Sequence, residues 1–130
     1  MIDKFLDCED AILIIMNIMK RSITVADIQD IMYFLKRENI VETEYGRLLG
    51  KLYSSDVFES IESLKTLNFI KSTTKMIPYL SCKSYKCKPL YRFVTTYALT
   101  VDGKKLVKDI KKTRKDAYKK IKQIVFAYLL

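Results

Sequence analysis

Between residues 83 and 92 the chain interleaves cations with aromatic rings: Lys83, Tyr85, Lys86, Lys88, Tyr91 and Arg92. Flexible cations of this kind can reach phosphate oxygens, and an arginine can enter a narrow minor groove. The competing reading is a basic tip that serves solubility or protects a strand edge. Other chemistry is thinly provided. The chain has no His and no Trp, and its 3 glycines form neither a GxGxxG nor a Walker-type phosphate loop. Without His the usual general base, the usual nitrogen ligand for zinc and the Ser-His or Cys-His pairings are missing. A non-enzyme with no cofactor and no metal is expected. Cys8, Cys82 and Cys87 are an odd number of thiols, which does not suit a secreted disulfide framework. Cys82 and Cys87 lack the further ligands that zinc needs. They could face each other across a hairpin, and reduced thiols are the default in a cytosol.

The charge is unevenly placed. The 130 residues carry a net +9, but residues 1–70 hold 8 basic and 12 acidic side chains, whereas residues 71–130 hold 16 and 3. A C-terminal half at +13 points to an anionic partner, nucleic acid first and an anionic membrane surface second, against the plainer reading of a solvated Lys-rich surface. The longest apolar run, Ala11 to Met16, is far short of the ~20 residues of a membrane span. The acidic residues around it do not suit a secretory signal. A cytoplasmic protein, with no membrane expected, follows from these features.

The elements that must position these groups can be read from periodicity and caps. Residues 10–20 are apolar almost all round, which marks a central buried helix. Thr24 and Asp27 have capping-box spacing and open a second helix with its core face on Ile28, Ile31, Met32 and Leu35. Asn39 is its expected end. Glu42 to Tyr53 reads mainly as a connection. Ser54, Ser55 and Asp56 open a third helix with core face Val57, Ile61 and Leu64, and Asn68 suits the left-handed residue that ends it. The opposite face then carries Ser55, Glu59, Glu62, Ser63 and Thr66. β-branched and aromatic residues dominate 71–100, with Tyr91, Phe93, Thr95, Tyr97 and Leu99 alternating on one face. This predicts a long antiparallel hairpin with a basic tip at 81–88. From Thr100 to the end the pattern is helical. Its apolar seam is Leu106, Ile110, Ala117, Ile121, Ile124 and Tyr128, interrupted at Thr113, with Lys108, Lys111, Lys112, Lys115, Lys119 and Lys122 on the other side. A seam of this kind makes either a homodimer or a surface that folds back on the first helix.

Helix, helix, helix, strand, strand, helix is the order of a winged-helix domain. Two stretches sharpen the likeness. Leu64-Lys65-Thr66-Leu67-Asn68-Phe69-Ile70 resembles the L-x-x-L-G-L-I end of a winged-helix recognition helix, with Asn68 in place of Gly. Tyr97-Ala98-Leu99-Thr100-Val101-Asp102-Gly103-Lys104 is similar to the Y-x-L-T-x-x-G-K that closes the wing and opens the next helix. Tyr45-Gly46 and Leu52-Tyr53-Ser54 are also similar to stretches of small prokaryotic winged-helix proteins.

The resemblance implies an α+β, mostly helical fold: three helices, a long β-hairpin wing and an extra C-terminal helix. Residues 1–130 are expected as one domain, with a winged-helix core at 10–100 and a C-terminal dimerisation helix at 101–130. It implies a dimeric transcription regulator on double-stranded DNA, with the third helix in the major groove and the wing over the backbone. The residues expected to meet DNA are Arg47, Lys51, Ser55, Ser63, Thr66, Lys83, Tyr85, Lys86, Lys88 and Arg92. Those expected to dimerise are the six of the seam. Glu59 and Glu62 depart from the pattern, because carboxylates on a helix facing phosphates are repelled. They motivate a second expectation, an adaptor whose acidic third helix binds a basic protein partner.

Overall fold

In the computed structural model, which describes residues 5–48, 51–79 and 90–129, a buried helix organises the rest. This helix, α1 (Cys8–Met19), has Ala11 through Met16 within 2% of full burial. A helix apolar on every face has to be surrounded, and four helices and a sheet supply the cover. Lys20, in the left-handed region at φ 56°, ends it.

The chain then forms the two-residue strand β1 (Ile23–Thr24) and turns directly into α2 (Val25–Arg37). The Thr24 side chain caps α2 by accepting from the Asp27 N–H at 3.2 Å. Asn39, at φ 57°, completes the turn after α2. Residues 42–53 are more than a connection: β2 (Gly46–Leu48) and β3 (Lys51–Tyr53) pair antiparallel. Three-residue strands are too short to show an alternating signal in sequence. The third helix, α3 (Ser55–Thr66), starts on the Ser54 cap and buries Val57, Ser60, Ile61 and Leu64. Asn68, at φ 64°, ends its turn.

The hairpin follows as expected. β4 (Ile70–Tyr79) and β5 (Leu90–Leu99) pair over their whole length, from Ile70 opposite Leu99 to Tyr79 opposite Leu90. β1 adds to the far side of β5, with Ile23 opposite Tyr97, so the sheet order is β1-β5-β4. Among the described residues the fold is therefore α+β and mostly helical, with five helices and a three-stranded antiparallel sheet beside the small β2–β3 pair.

The C-terminal segment departs from the sequence expectation. It is two helices, α4 (Val101–Thr113) and α5 (Lys115–Leu129), rather than one. The break is at Arg114, which leaves helical geometry at φ −126°, ψ 54°. The Thr113 hydroxyl donates back to the Asp109 carbonyl at 3.1 Å, a bond that favours bending. The corner lets α5 lie against α1 and α2. Tyr118, Ile121 and Val125 thereby join the core, together with Val107 and Ile110 of α4. Tyr118 also accepts a hydrogen bond at 2.8 Å from the Asn17 side chain of α1.

Candidate nucleic-acid interface

The two stretches singled out in sequence meet in space. The Thr100 N–H donates to the Phe69 carbonyl at 3.0 Å, and the Thr100 hydroxyl donates to the Asn68 carbonyl at 2.7 Å. The same hydroxyl oxygen accepts from the Gly103 N–H at 3.1 Å and so caps α4. A Cβ on Gly103 would run into the Phe69 carbonyl oxygen. The turn after α3, the foot of the β4–β5 ribbon and the start of α4 are thus locked at one corner, which fixes α3 relative to the ribbon.

A second lock holds the other end of α3. Gln29 of α2 is buried, donates to the Ser54 carbonyl at 3.0 Å and accepts from the Ser54 N–H at 3.1 Å. With both ends held, α3 turns Ser55, Glu59, Ser63 and Thr66 outward, and Glu62 is half-buried. The expected contacts Ser55, Ser63 and Thr66 are therefore exposed on one helix, where the Thr66 hydroxyl donates to its own Glu62 carbonyl at 2.9 Å. Lys65 adds an exposed cation on the flank of the helix beside this face. Burial and the nearby Glu62 carboxylate push the Tyr97 hydroxyl above its ordinary pKa.

The ribbon has two unlike faces. Thr74 and Thr95 hydroxyls share a hydrogen bond at 2.9 Å, which places them side by side on the face that begins with Ile70 and Tyr97. Side chains alternate along a strand, so Met76 and Phe93, opposite each other, stand one step further out on that face. They are 58% and 74% exposed. The other face carries Lys71, Lys75 and Arg92, all exposed. Lys71 and Lys75 precede the basic tip and were not among the expected contacts, although their spacing of four on one strand puts them on one face.

Arg47 and Lys51 stand on β2 and β3, just before α3. Lys83, Tyr85, Lys86 and Lys88, with Cys82 and Cys87, lie outside the described residues. Further cations stand at the foot of the ribbon, where Lys20, Arg21 and Lys104 line an open cleft of about 350 Å³ beside Ala98 and Leu99. A larger cleft of about 520 Å³ at the α4–α5 corner mixes Lys112, Arg114, Lys115 and Lys120 with Glu38 and Asp116. The outer faces of α4 and α5 expose Lys105, Lys108, Lys111, Lys119 and Lys122.

The expected dimer seam is placed differently. Ile110 and Ile121 are 7% and 0% exposed within the chain itself. Leu106, Ala117, Ile124 and Tyr128 are half-buried against the same core. The Tyr128 hydroxyl approaches carboxylate oxygens of Asp27 at 3.2 Å and Asp30 at 3.4 Å on α2. The seam is occupied by the chain's own α1 and α2, because the corner at Arg114 turns it inward. Leu106, Ala117, Ile124 and Tyr128 keep part of their surface open, and Ile124 and Tyr128 line an apolar cleft of about 400 Å³ with Phe34 and Ala127.

Among the described residues, no group of three or more His, Cys, Asp or Glu is placed to hold a metal ion. No helix among them is long and apolar enough to cross a membrane. Comparison with protein-family models, curated proteins and solved structures finds no match to this chain.

Proposed function

We propose that the chain is a winged-helix protein that binds duplex DNA, with the β4–β5 ribbon as its wing, and that it acts as a transcription regulator rather than an enzyme. The observation that carries this reading is the ribbon. It extends from a helical body beside α3, and residues 70–99 contain six cations and no Asp or Glu. A +6 segment whose described strands expose Lys71, Lys75 and Arg92 matches a polyanion. The element order and the placement of β1 beside β5 support the winged-helix resemblance. In this reading Lys71, Lys75 and Arg92 contact phosphates, joined by Arg47, Lys51 and the tip lysines, and Ser55, Ser63 and Thr66 read bases. A homodimer stays part of this proposal, carried by the seam residues that keep exposed surface, Leu106, Ala117, Ile124 and Tyr128; a mass of one chain by sedimentation would remove it.

The test is affinity for a random-sequence duplex across a salt series. Each neutralised phosphate contributes a slope of about −0.9 in log K against log salt. Replacing Lys71, Lys75 and Arg92 by Gln is expected to make the slope shallower by about 3. Affinity no better than millimolar, or binding that ignores salt, would overturn the proposal.

A second reading is favoured by α3 alone. It carries the exposed Glu59 and the half-buried Glu62, and Phe58 and Leu67 are exposed apolar side chains on its two flanks. That surface suits a basic protein partner. Changing both glutamates to Lys tightens DNA binding under the first reading and abolishes partner capture under the second.

A further inference from the structure

The proposed phosphate contacts leave the opposite face of the ribbon without a role. That face is buried at its foot, where Ile70 is 1% and Tyr97 6% exposed, and it continues outward as Thr74 with Thr95 and then Met76 with Phe93. At about 3.3 Å per residue, Met76 and Phe93 stand about 13 Å beyond Tyr97 along the ribbon. Nothing among the described residues covers them. The two stand directly opposite each other as one contiguous apolar pair, and at 74% Phe93 is the most exposed large apolar side chain among the described residues.

The surrounding charge indicates which partner. Lys71, Lys75 and Arg92 share the ribbon, and its whole segment lacks an acid. Apposing a second copy would set +6 against +6, whereas a duplex brings phosphates to both edges of an arm lying in its groove. Lysine and arginine stems are long enough to curl round a ribbon edge towards those phosphates while the apolar face looks inward. The minor groove is about 6 Å wide and 7.5 Å deep, so a two-stranded ribbon enters it only where the groove is opened. Apolar side chains inserted from such a groove partly unstack a base step and kink the duplex.

We infer that Met76 and Phe93 form a wedge that enters the minor groove, inserts at a base step and bends the DNA. This rests on the DNA-binding reading above, and it assigns the apolar face to the bases and the cationic face to the phosphates. It makes the protein prefer flexible pyrimidine–purine steps, which unstack most easily, without any hydrogen bond to those bases.

The experiment uses the full chain and a duplex of about 30 base pairs with a donor and an acceptor dye at its ends. Energy transfer is expected to rise on binding. In a variant with Met76→Ser and Phe93→Ser the rise is lost and affinity falls about tenfold, as for one lost stacking contact, with the salt slope unchanged. Both residues are exposed, so the variant keeps the wild-type melting temperature. Because the chain has no Trp, Phe93→Trp adds a unique probe. Its emission is quenched by stacked bases on duplex DNA and remains unquenched with anionic phosphatidylserine vesicles. Salt-sensitive binding without bending, or with unquenched emission, overturns the wedge and leaves the DNA reading in place. No binding to any duplex overturns both. Insertion of the Trp into vesicles, with a blue-shifted emission and no effect of DNA, assigns the face to a lipid surface and overturns the wedge.

Discussion

Gly103 offers a sharp test of the corner that fixes α3 to the ribbon. It occupies the third position of α4, where Ala is ordinarily the better residue by about 0.5–1 kcal/mol. On propensity alone Gly103→Ala would stabilise the protein. The structure reverses that sign. The new methyl group would collide with the Phe69 carbonyl oxygen and also press on a Leu99 methyl at 3.2 Å. The obstacle is backbone, so it cannot rotate away. α4 has to move off the turn, and the movement strains the Thr100 N–H bond to Phe69 and the Thr100 hydroxyl bond to Asn68. Overpacking costs about 1–3 kcal/mol and each lost bond about 1 kcal/mol. After subtracting the helix gain, the net loss is about 2–4 kcal/mol. For a chain of this size that lowers the melting temperature by about 10 °C. Thermal unfolding followed by circular dichroism measures it. A variant as stable as wild type, or more stable, would show that the close approach does not govern this corner.

Three further outcomes are expected. Gln29→Ala leaves the buried Ser54 N–H unpaired and its carbonyl with only the Phe58 N–H, and urea unfolding should show a loss of about 1–3 kcal/mol; no measurable loss would mean another group replaces the amide. Tyr128→Phe removes the hydroxyl bonds to Asp27 and Asp30, at a cost of about 1 kcal/mol on a partly solvated surface. Burial first, then those two carboxylates, push the Tyr128 hydroxyl up to about 12. A folded pKa above the ordinary 10 means its contribution is full below pH 10 and fades between 10 and 12, so the gap between wild type and variant should close over that range. Burial, reinforced by Glu9 and Asp56 and opposed by a Ser60 hydrogen bond, raises the Cys8 thiol from 9.0 to about 11. With Cys82 and Cys87 replaced by Ser, alkylation of Cys8 at pH 8 should run about 100-fold slower than that of an ordinary cysteine, because the thiolate is the reactive form. A rate equal to that of an ordinary cysteine would contradict the burial.

Much of the fold was legible because its signals are local. Thr24, Ser54 and Thr100 cap helices through bonds that span three residues, and Asn39 and Asn68 take the left-handed positions that end them. Alternation on one strand and a partner strand rich in β-branched residues were enough to pair β4 with β5. The core faces of α2 and α3 followed from the 3.6-residue repeat. The candidate site was legible in part. The sign and location of the charge are composition, and Ser55, Ser63 and Thr66 fall opposite the apolar face of their helix by angle alone.

Other features depend on which surfaces meet. The stripe through Ile110, Ile121 and Tyr128 has the same spacing whether it packs on a second copy or on α1. Only the turn at Arg114 brings it onto the chain's own core, and that turn is stabilised by contacts far away in sequence. Likewise Tyr97 and Phe93 sit on one face of one strand and look equivalent in the repeat. Tyr97 is covered by the helical body and Phe93 extends beyond it, a difference set by where the body ends. The sequence by itself therefore determined the first three helices, the long hairpin and the sign of the charge they carry, because caps, periodicity and composition act within a few residues. Tertiary structure decided which apolar faces are shared with the core and which stay exposed, because burial is a property of the assembled surfaces and not of the repeat that creates them.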